Sequence, residues 1–221
     1  MARSPGRWNE LSQPLERAAN EMEIDPRRTV RLHRLSRFLS LLLRHRPARF
    51  PIKLDEQGYA ELRDVMAMLQ KLPNLRWATR ADIQAVVDLP GRQRFEIVES
   101  KIRALYGHTA VRPSYEAVAP PEVLYYGGSE ECLDSIRREG IQPHEHSYVH
   151  LATTPEGARS MALRSTPDPV VVKIDARGAH MRGEPFYHPV DGIFLCGEIA
   201  PADIGDRVTV SAPTPDIPDE E

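Results

Sequence analysis

The sequence predicts an α+β protein built from two unlike halves, one mainly helical and one mainly sheet. In the first half, apolar residues recur every three or four positions, which is the period of an amphipathic helix. The second half carries short apolar runs between polar segments, which is typical of strands in a compact sheet. Residues 113–121 lie between the halves and contain three prolines with little apolar content, as expected of a connector. We therefore predict two lobes, residues 29–112 and 122–210, joined by a linker.

A long amphipathic helix is predicted at the start of the first lobe. Its apolar stripe follows three- and four-residue spacing and consists of Leu32, Leu35, Phe38, Leu39, Leu42 and Leu43. Proline has no backbone N–H and clashes with the preceding turn, so the helix must end before Pro47.

Two more helices and a hairpin are predicted in the first lobe. A second apolar stripe indicates a helix at Leu62, Val65, Met66 and Leu69. Thr79 with Asp82 three residues on resembles a capping box, which opens a third helix. Apolar and polar residues then alternate on both sides of the turn-like Glu99-Ser100, which predicts a hairpin. Three helices followed by a hairpin is the order of a winged-helix domain.

The second lobe is predicted to be a compact sheet with two well-bounded helices. The candidate strands are residues 123–126, 149–151, 170–174 and 193–195. One helix is expected to be capped by Ser129 and closed by Gly140 in a left-handed conformation. Another begins at Thr154, a capping residue followed by proline in the first turn.

Charge, cysteine content and hydropathy limit the partners and the location of the chain. The formal net charge is −3, so affinity for nucleic acid must come from local clustering of the 29 Lys and Arg residues. Cys132 and Cys196 form no C-x-x-C pair, which suits a reducing compartment, and both are expected to be buried. No stretch approaches the roughly 20 apolar residues that span a bilayer, so we expect a soluble, cytoplasmic monomer. Residues 1–28 and 211–221 lack the apolar pattern of a core and are expected to be flexible.

Two basic clusters stand out in the first half. The first lies on the opening helix and at its end, and consists of Arg31, His33, Arg34, Arg37, Arg44, His45 and Arg46. The second lies on the hairpin and consists of Arg92, Arg94, Lys101 and Arg103. Arginine presents a fixed fork of donors that matches phosphate oxygens, so the clusters indicate a surface for a polyanion. The alternative interpretation is that these charges only keep the exposed face of a helix soluble.

Several short motifs follow one another along the chain. The opening helix ends in L-R-H-R-P at residues 43–47, and D-E-Q-G-Y follows at 55–59. R-Q-R-F stands at 92–95 and I-R-A-L-Y-G-H-T at 102–109, and the second half continues with G-I-Q-P, V-H-L, P-V-V-V-K-I-D and F-Y-H-P-V-D-G-I. In this order they resemble the motifs of the KptA family of RNA 2′-phosphotransferases, whose first-lobe forms are L-R-H-x-P, D-x-x-G-aromatic, K-Q-R-F and I-R-A-N-Q-G-H-S. The resemblance covers about residues 30–205.

The resemblance implies a winged-helix lobe followed by an ADP-ribosyltransferase lobe, with NAD in the second lobe and the RNA phosphate in the cleft between them. In the family's reaction, an internal 2′-phosphate of RNA attacks the nicotinamide-bearing ribose carbon of NAD, which is consumed. The ribose 2″-hydroxyl then attacks that phosphate. The products are nicotinamide, 2′-OH RNA and ADP-ribose 1″,2″-cyclic phosphate, no metal is required, and the family's role is in tRNA splicing.

The resemblance also implies roles for individual residues. The catalytic residues would be Arg44, His45, Arg94 and His146. The RNA contacts would be Arg37, Arg92, Arg103 and His108, and the NAD contacts Tyr126, Gly127, Gly128, Tyr148, His150 and Arg164. Glycines at 127 and 128 would let the backbone approach the ligand closely. A metal site around residues 144–150 is disfavoured, because no second ligand cluster with metal spacing accompanies these histidines.

The chain departs from the family pattern where chemistry is expected. The family's H-G-T reads Y-G-G at 126–128, its R-x-H-V-H-L reads H-S-Y-V-H-L at 146–151, and its N-Q before G-H-S reads Leu105-Tyr106. His146 replaces a permanently charged arginine and would supply a cation only when protonated. Three functions therefore stay open: complete 2′-phosphate removal, an ADP-ribosyltransferase that modifies a terminal phosphate of nucleic acid and stops after the first step, and a non-catalytic RNA- or NAD-binding relative.

Overall fold

The computed structural model of the protein describes residues 26–45, 47–89 and 93–210. The fold is mixed α+β, with a three-stranded antiparallel sheet in the first half and a seven-stranded antiparallel sheet in the second. Arg46 and Arg92 of the basic clusters, residues 1–25 and residues 211–221 lie outside the described part. The first helix begins at Pro26, inside the segment that was expected to be flexible.

The first half consists of three helices and three strands. In chain order they are α1 Pro26–Ser40, a π-helical turn Leu41–His45, a 3₁₀ turn Pro47–Arg49, β1 Tyr59–Glu61, α2 Leu62–Gln70, α3 Arg80–Val87, β2 Phe95–Val98 and β3 Lys101–Ala104. The strand order in the sheet is β1-β3-β2. The predicted helices and the β2–β3 hairpin are confirmed, whereas β1 was not predicted.

The apolar stripe of α1 anchors the core of the first half. Leu35, Leu39, Leu42 and Leu43 have no exposed surface and pack with α2, α3 and the hairpin. The last turn is π-helical, a form that occurs mostly as single turns and often at functional sites. It places Arg44 directly after the buried leucines, with 7% of its surface exposed.

The cap of α3 is formed as predicted. The Asp82 N–H donates to Thr79 Oγ1 at 3.2 Å, and the Thr79 N–H donates to Asp82 Oδ2 at 2.9 Å. Such a reciprocal pair satisfies two backbone donors at the helix start.

The second half is a seven-stranded sheet with three short helices. In chain order its elements are β4 Ala117–Val118, β5 Val123–Ser129, a 3₁₀ turn Glu130–Cys132, α4 Leu133–Glu139, β6 Val149–Ala152, α5 Pro155–Ala162, β7 Pro169–Asp175, α6 Ala176–Met181, β8 Phe186–Val190, β9 Ile193–Cys196, a 3₁₀ turn Pro201–Asp203 and β10 Ile204–Val208. The strand order is β10-β7-β5-β6-β9-β8-β4. The four predicted strands and both predicted helices are present, and the Thr154 cap is confirmed, since its side chain accepts from the Gly157 N–H at 3.1 Å. The strands β4, β8 and β10 were not predicted.

Three local predictions in the second half need correction. Ser129 makes no capping hydrogen bond, because its hydroxyl donates to Cys132 Sγ at 3.1 Å instead. Cys132 is exposed, so the prediction that it is buried was wrong, whereas Cys196 is buried as predicted. Gly140 does close α4 at a positive φ of 84°, but its ψ of −175° is extended rather than left-handed helical. A Cβ there would lie 2.3 Å from the Ile199 carbonyl oxygen, so close approach also requires glycine.

Hydrogen bonds and aromatic packing join the two halves just before β6. The Ser147 N–H donates to the His108 carbonyl at 2.8 Å, and its hydroxyl lies 2.6 Å from the Val111 carbonyl. Tyr148 packs in one cluster with Leu105, Tyr106, Ile193 and Leu195. The departures from the family pattern at positions 105, 106 and 148 therefore pack together rather than lying apart.

Candidate active site

A cavity of about 520 Å³ lies where the two halves meet, within the size range of small-molecule sites. Its first-half wall consists of Arg44, His45, Tyr106 and Gly107. Its second-half wall consists of Tyr126, Gly127, Gln142, Pro143, His144, Glu145, His146, Tyr148, Val149, His150, Met161, Ala162, Arg164 and Ser165. The structure therefore brings predicted site residues from both halves to one cavity.

Arg44 is fixed on the first-half wall by its surroundings. Its Nη2 donates to the Arg94 carbonyl at 3.0 Å, and its guanidinium carbon lies 4.9 Å from the Tyr106 ring centroid and 5.3 Å from that of Phe95. Burial lowers the pKa of Arg44 to about 10, and the positive charges of Arg94 and Arg164 act in the same direction. Since this pKa remains well above 7, Arg44 is a desolvated permanent cation, which attracts an anion more strongly than a cation in water.

His45 and the G-H-T motif meet at the same wall. His45 Nδ1 lies 3.1 Å from Thr109 Oγ1, and the Arg44 carbonyl accepts from the Thr109 and Ala110 N–H groups at 3.1 and 3.2 Å. Gly107 has a φ of 80°, and a Cβ there would lie 3.4 Å from Arg44 Nη1. Two motifs that are far apart in sequence thus hold Arg44 and His45 in place. Position 107 requires glycine because its φ is positive and the Arg44 side chain lies against it.

His108 lies beneath this wall rather than on it. Its side chain is 2% exposed, and burial together with the Arg44 charge lowers its pKa to about 3. Its carbonyl accepts from the Ser147 backbone and hydroxyl groups. His108, which was predicted to contact RNA, therefore links the two halves through its carbonyl. Its imidazole is buried and neutral.

His146 and His150 stand side by side on the second-half wall, with ring centroids 5.1 Å apart. Burial, followed by the His146 and Arg44 charges, lowers the pKa of His150 to about 3. Burial also lowers the pKa of His146, with Glu145 opposing and Arg44 adding to the shift. Both imidazoles are therefore mainly neutral at pH 7, and His146 does not replace the permanent charge of an arginine.

The two tyrosines predicted to contact NAD lie in different environments. Tyr148 is 7% exposed, its hydroxyl donates to the Pro113 carbonyl at 3.0 Å, and its ring packs edge-on against Tyr115 and Tyr187. The hydroxyl of Tyr148 is thus engaged within the protein, and its ring lines the cavity. Tyr126 lines the cavity from β5, and burial raises the pKa of its hydroxyl.

Gly127 and Gly128 serve packing within the protein. A Cβ at Gly127 would lie 2.4 Å from the Ala158 carbonyl oxygen, so the missing side chain lets α5 lie directly on β5. A Cβ at Gly128 would lie 3.2 Å from the Tyr126 ring. Gly127 lines the cavity, whereas Gly128 does not belong to its wall.

Arg164 follows α5 and lines the cavity on the second-half wall. The turn that carries it is hydrogen-bonded, since the Leu163 N–H donates to the Arg159 carbonyl and the Thr166 N–H to the Ala162 carbonyl, each at 3.0 Å. Its charge lowers the pKa of both Arg44 and His150. Arg164 is exposed, its backbone N–H donates to the Met161 carbonyl at 3.4 Å, and its side chain has no hydrogen-bond or ion-pair partner among the residues that the structure describes.

Three other predicted cations lie outside the cavity wall. Arg94 is exposed and acts on the site through its carbonyl and its charge, both directed at Arg44. Arg37 is exposed on α1. Arg103 is paired with Glu96, with 2.5 Å between Nε and Oε1, and stacks on Tyr59.

Several cavity residues were not predicted. Tyr106 was noted only as a departure from a motif, yet it forms part of the first-half wall and stacks with Arg44. Gln142 lies in the G-I-Q-P motif but was given no role there, and Met161 lies in none of the motifs. In the described part of the chain, no group of three or more His, Cys, Asp or Glu side chains is placed to hold a metal ion, and no helix is long and apolar enough to cross a bilayer.

Fold and site together define a protein with a cationic interlobe cavity suited to a phosphorylated ligand. The family model described as "RNA 2′-phosphotransferase, Tpt1 / KptA family" matches residues 30–198. A protein of Pyrobaculum aerophilum named "Probable RNA 2′-phosphotransferase" is 37% identical over 187 residues, which is 82% of this chain and 84% of that protein. One of the same name from Thermoplasma acidophilum is 33% identical and covers 85% of this chain and 77% of its own length. The chain belongs to the RNA 2′-phosphotransferase, Tpt1 / KptA family.

Proposed function

We propose that the protein is an NAD-dependent RNA 2′-phosphotransferase, which removes an internal 2′-phosphate through an ADP-ribosylated RNA intermediate. In this proposal the first half is a winged-helix lobe that binds RNA, and the second half is an ADP-ribosyltransferase-like lobe that binds NAD. One observation carries the proposal: Arg44 and His45 of the first half line the same cavity as Tyr126 and His150 of the second.

The first-half wall is the proposed phosphate site. Arg44 is a buried cation held by neighbouring groups, so it meets a phosphate without reorganisation of its surroundings. His45 lies beside it at the exposed end of the π-helical turn, oriented by Thr109. Arg94 supports Arg44 from outside the wall and adds positive potential. This arrangement favours a phosphate whose oxygens gain charge during a reaction.

The second-half wall is the proposed NAD site. The residues Tyr126, Tyr148, Val149 and Met161 give it aromatic and apolar surface, while Arg164 adds positive charge. NAD combines flat rings with a pyrophosphate, so a wall with both kinds of group suits it.

The proposed chemistry proceeds in two displacements. An oxygen of the RNA 2′-phosphate forms a bond to the nicotinamide-bearing ribose carbon, and the bond from that carbon to nicotinamide breaks. The ribose 2″-oxygen then forms a bond to phosphorus and loses its proton, while the bond between phosphorus and the RNA 2′-oxygen breaks and that oxygen takes up a proton. Arg44 and His45 would hold and neutralise the phosphate in both steps, which is the contribution expected where positioning and charge stabilisation dominate.

One observation favours a second candidate, an ADP-ribosyltransferase that modifies terminal phosphates of nucleic acid and stops after the first displacement. His146 stands where the family has an arginine, and its lowered pKa leaves it mainly neutral at pH 7. Without a permanent cation at position 146, the second displacement would be slow in this candidate.

Incubation with NAD and a 2′-phosphorylated oligonucleotide tests the two candidates together. The proposal expects nicotinamide, 2′-OH oligonucleotide and ADP-ribose 1″,2″-cyclic phosphate in equal amounts. The second candidate expects a lasting ADP-ribosylated oligonucleotide, formed also from an oligonucleotide with a terminal phosphate. Release of no nicotinamide by the folded protein with either substrate would reject both.

A further inference from the structure

The cavity wall contains two arginines among the described residues, one from each half. Arg44 is buried and held from several sides, whereas Arg164 is exposed at the opposite wall. Because burial leaves His146 and His150 mainly neutral at pH 7, these two arginines are the permanent cations of the described cavity wall, which also contains the carboxylate of Glu145.

The backbone of Arg164 is fixed by the packing of α5. The missing side chain of Gly127 lets the helix lie on β5, with Ala158 and Ala162 at the contact. Arg164 follows two residues after the end of this helix, in a turn closed by backbone hydrogen bonds from residues 163, 165 and 166. The packing of α5 on the sheet therefore limits the region that the Arg164 guanidinium can reach.

Two features indicate that the positive charges of Arg164 and Arg44 act in the same cavity. Arg164 lines the same cavity as Arg44 and His150, and its positive charge lowers the pKa of both. No carboxylate among the described residues pairs with it. Two unneutralised like charges that face one cavity repel each other, and a bound anion between them relieves that repulsion.

We propose that Arg164 is a catalytic residue that binds the RNA phosphate from the second-half wall, opposite Arg44, and supplies the permanent cation that His146 does not. This assignment differs from the NAD contact that the family resemblance implied for Arg164, and it rests on the proposed function. In the second displacement, the bond from the ribose 2″-oxygen to phosphorus forms as the bond to the RNA 2′-oxygen breaks. Arg164 would stabilise the charge on the phosphoryl oxygens during that exchange.

Binding without NAD is the first test, because it separates the RNA phosphate from the NAD pyrophosphate. The probes are a 2′-phosphorylated oligonucleotide and its 2′-OH counterpart, titrated separately into the full-length protein. Arg164→Ala should reduce the affinity gain from the 2′-phosphate by about tenfold, as expected for loss of one charge-assisted contact. Arg159→Ala is the matched control, since this arginine lies on α5 outside the cavity wall. An unchanged gain in Arg164→Ala would overturn the inference.

Single-turnover reactions with NAD provide the second test. Arg164→Ala should slow the second displacement by about 10²-fold, the lower end for removal of one preorganised donor, so ADP-ribosylated oligonucleotide should accumulate. His146→Arg introduced into Arg164→Ala should restore its conversion, because the charge returns from a neighbouring position. A raised KM for NAD with no accumulation would assign Arg164 to the NAD pyrophosphate and overturn the inference. If the wild-type protein releases no nicotinamide, the proposed function itself fails, which is a distinct outcome.

Discussion

Replacement of Arg44 by methionine should abolish turnover without destabilising the fold. The pKa of Arg44 falls from 12.5 to about 10 on folding, mainly because the charge is buried. Each pKa unit corresponds to about 1.4 kcal/mol, so a charged guanidinium in this site costs about 3 kcal/mol of folding free energy. Arginine is protonated at pH 7 in both the folded and unfolded states, so the full cost is present there. It declines only as the pH rises above 10 toward 12.5.

Methionine removes this cost together with some favourable contacts. Loss of the hydrogen bond to the Arg94 carbonyl costs about 1 kcal/mol, and loss of the stacking on Tyr106 and Phe95 costs about another 1 kcal/mol. The difference leaves Arg44→Met more stable than wild type by about 1 kcal/mol. Turnover should nevertheless fall by at least about 10²-fold, because a preorganised cation at the phosphate is lost.

Urea unfolding at pH 7.5 measures the stability change, with Arg37→Met as the control on the exposed face of α1. The two variants and the wild type should unfold with the same dependence on urea, so that midpoints report stability directly. If Arg44→Met is less stable than wild type by 2 kcal/mol or more, then Arg44 stabilises the fold, and the inference that its buried charge costs folding free energy is wrong.

Four further predictions follow from individual contacts. His45→Ala should lower turnover by about 10²-fold or more with the fold intact, and near-normal turnover in folded protein would remove His45 from the phosphate site. Gly127→Ala should lower the free energy of unfolding by about 1–3 kcal/mol in thermal or urea melts, because its Cβ would lie 2.4 Å from the Ala158 carbonyl oxygen. Native His108 has a pKa of about 3, so the folded state binds fewer protons than the unfolded state between pH 6.5 and 3 and loses stability as the pH falls. His108→Leu should therefore reduce the loss between pH 6.5 and 5 by about 2 kcal/mol, and equal pH slopes would contradict this. Because the pKa of His146 lies below 6.5, the second displacement should not slow as the pH rises from 7 to 8, whereas a decline that His146→Arg abolishes would make His146 the source of the charge.

Local sequence signals predicted the hairpin and five of the six α-helices among the described residues, whereas α6 was not predicted. The leucines of α1 and the Thr79–Asp82 cap act within one or two turns, so their pattern contains the information needed. The unpredicted strands depend on partners elsewhere in the chain. β4 has two exposed residues and exists through pairing with β8, which itself contains Pro189 and a register shift. β1 is three residues long and exists through pairing with β3.

Part of the cavity lining coincides with residues that the motifs singled out, but its electrostatics could not be predicted from the sequence. The motifs located Arg44, His45 and His150, which the fold brings to one cavity. No sequence pattern reveals that burial keeps His150 neutral, because burial is set by both halves together. Sequence patterns also do not reveal that Gly127 lies directly against α5, or that the Tyr148 hydroxyl donates to the Pro113 carbonyl.

The fate of a labelled phosphorus atom tests the central claim most directly. An oligonucleotide with a single ³²P-labelled internal 2′-phosphate would be incubated with the protein, with and without NAD, and the products separated. We expect that the label leaves the RNA only when NAD is present, appears in ADP-ribose 1″,2″-cyclic phosphate, and matches the released nicotinamide one to one. Label released as inorganic phosphate, or released without NAD, would contradict it.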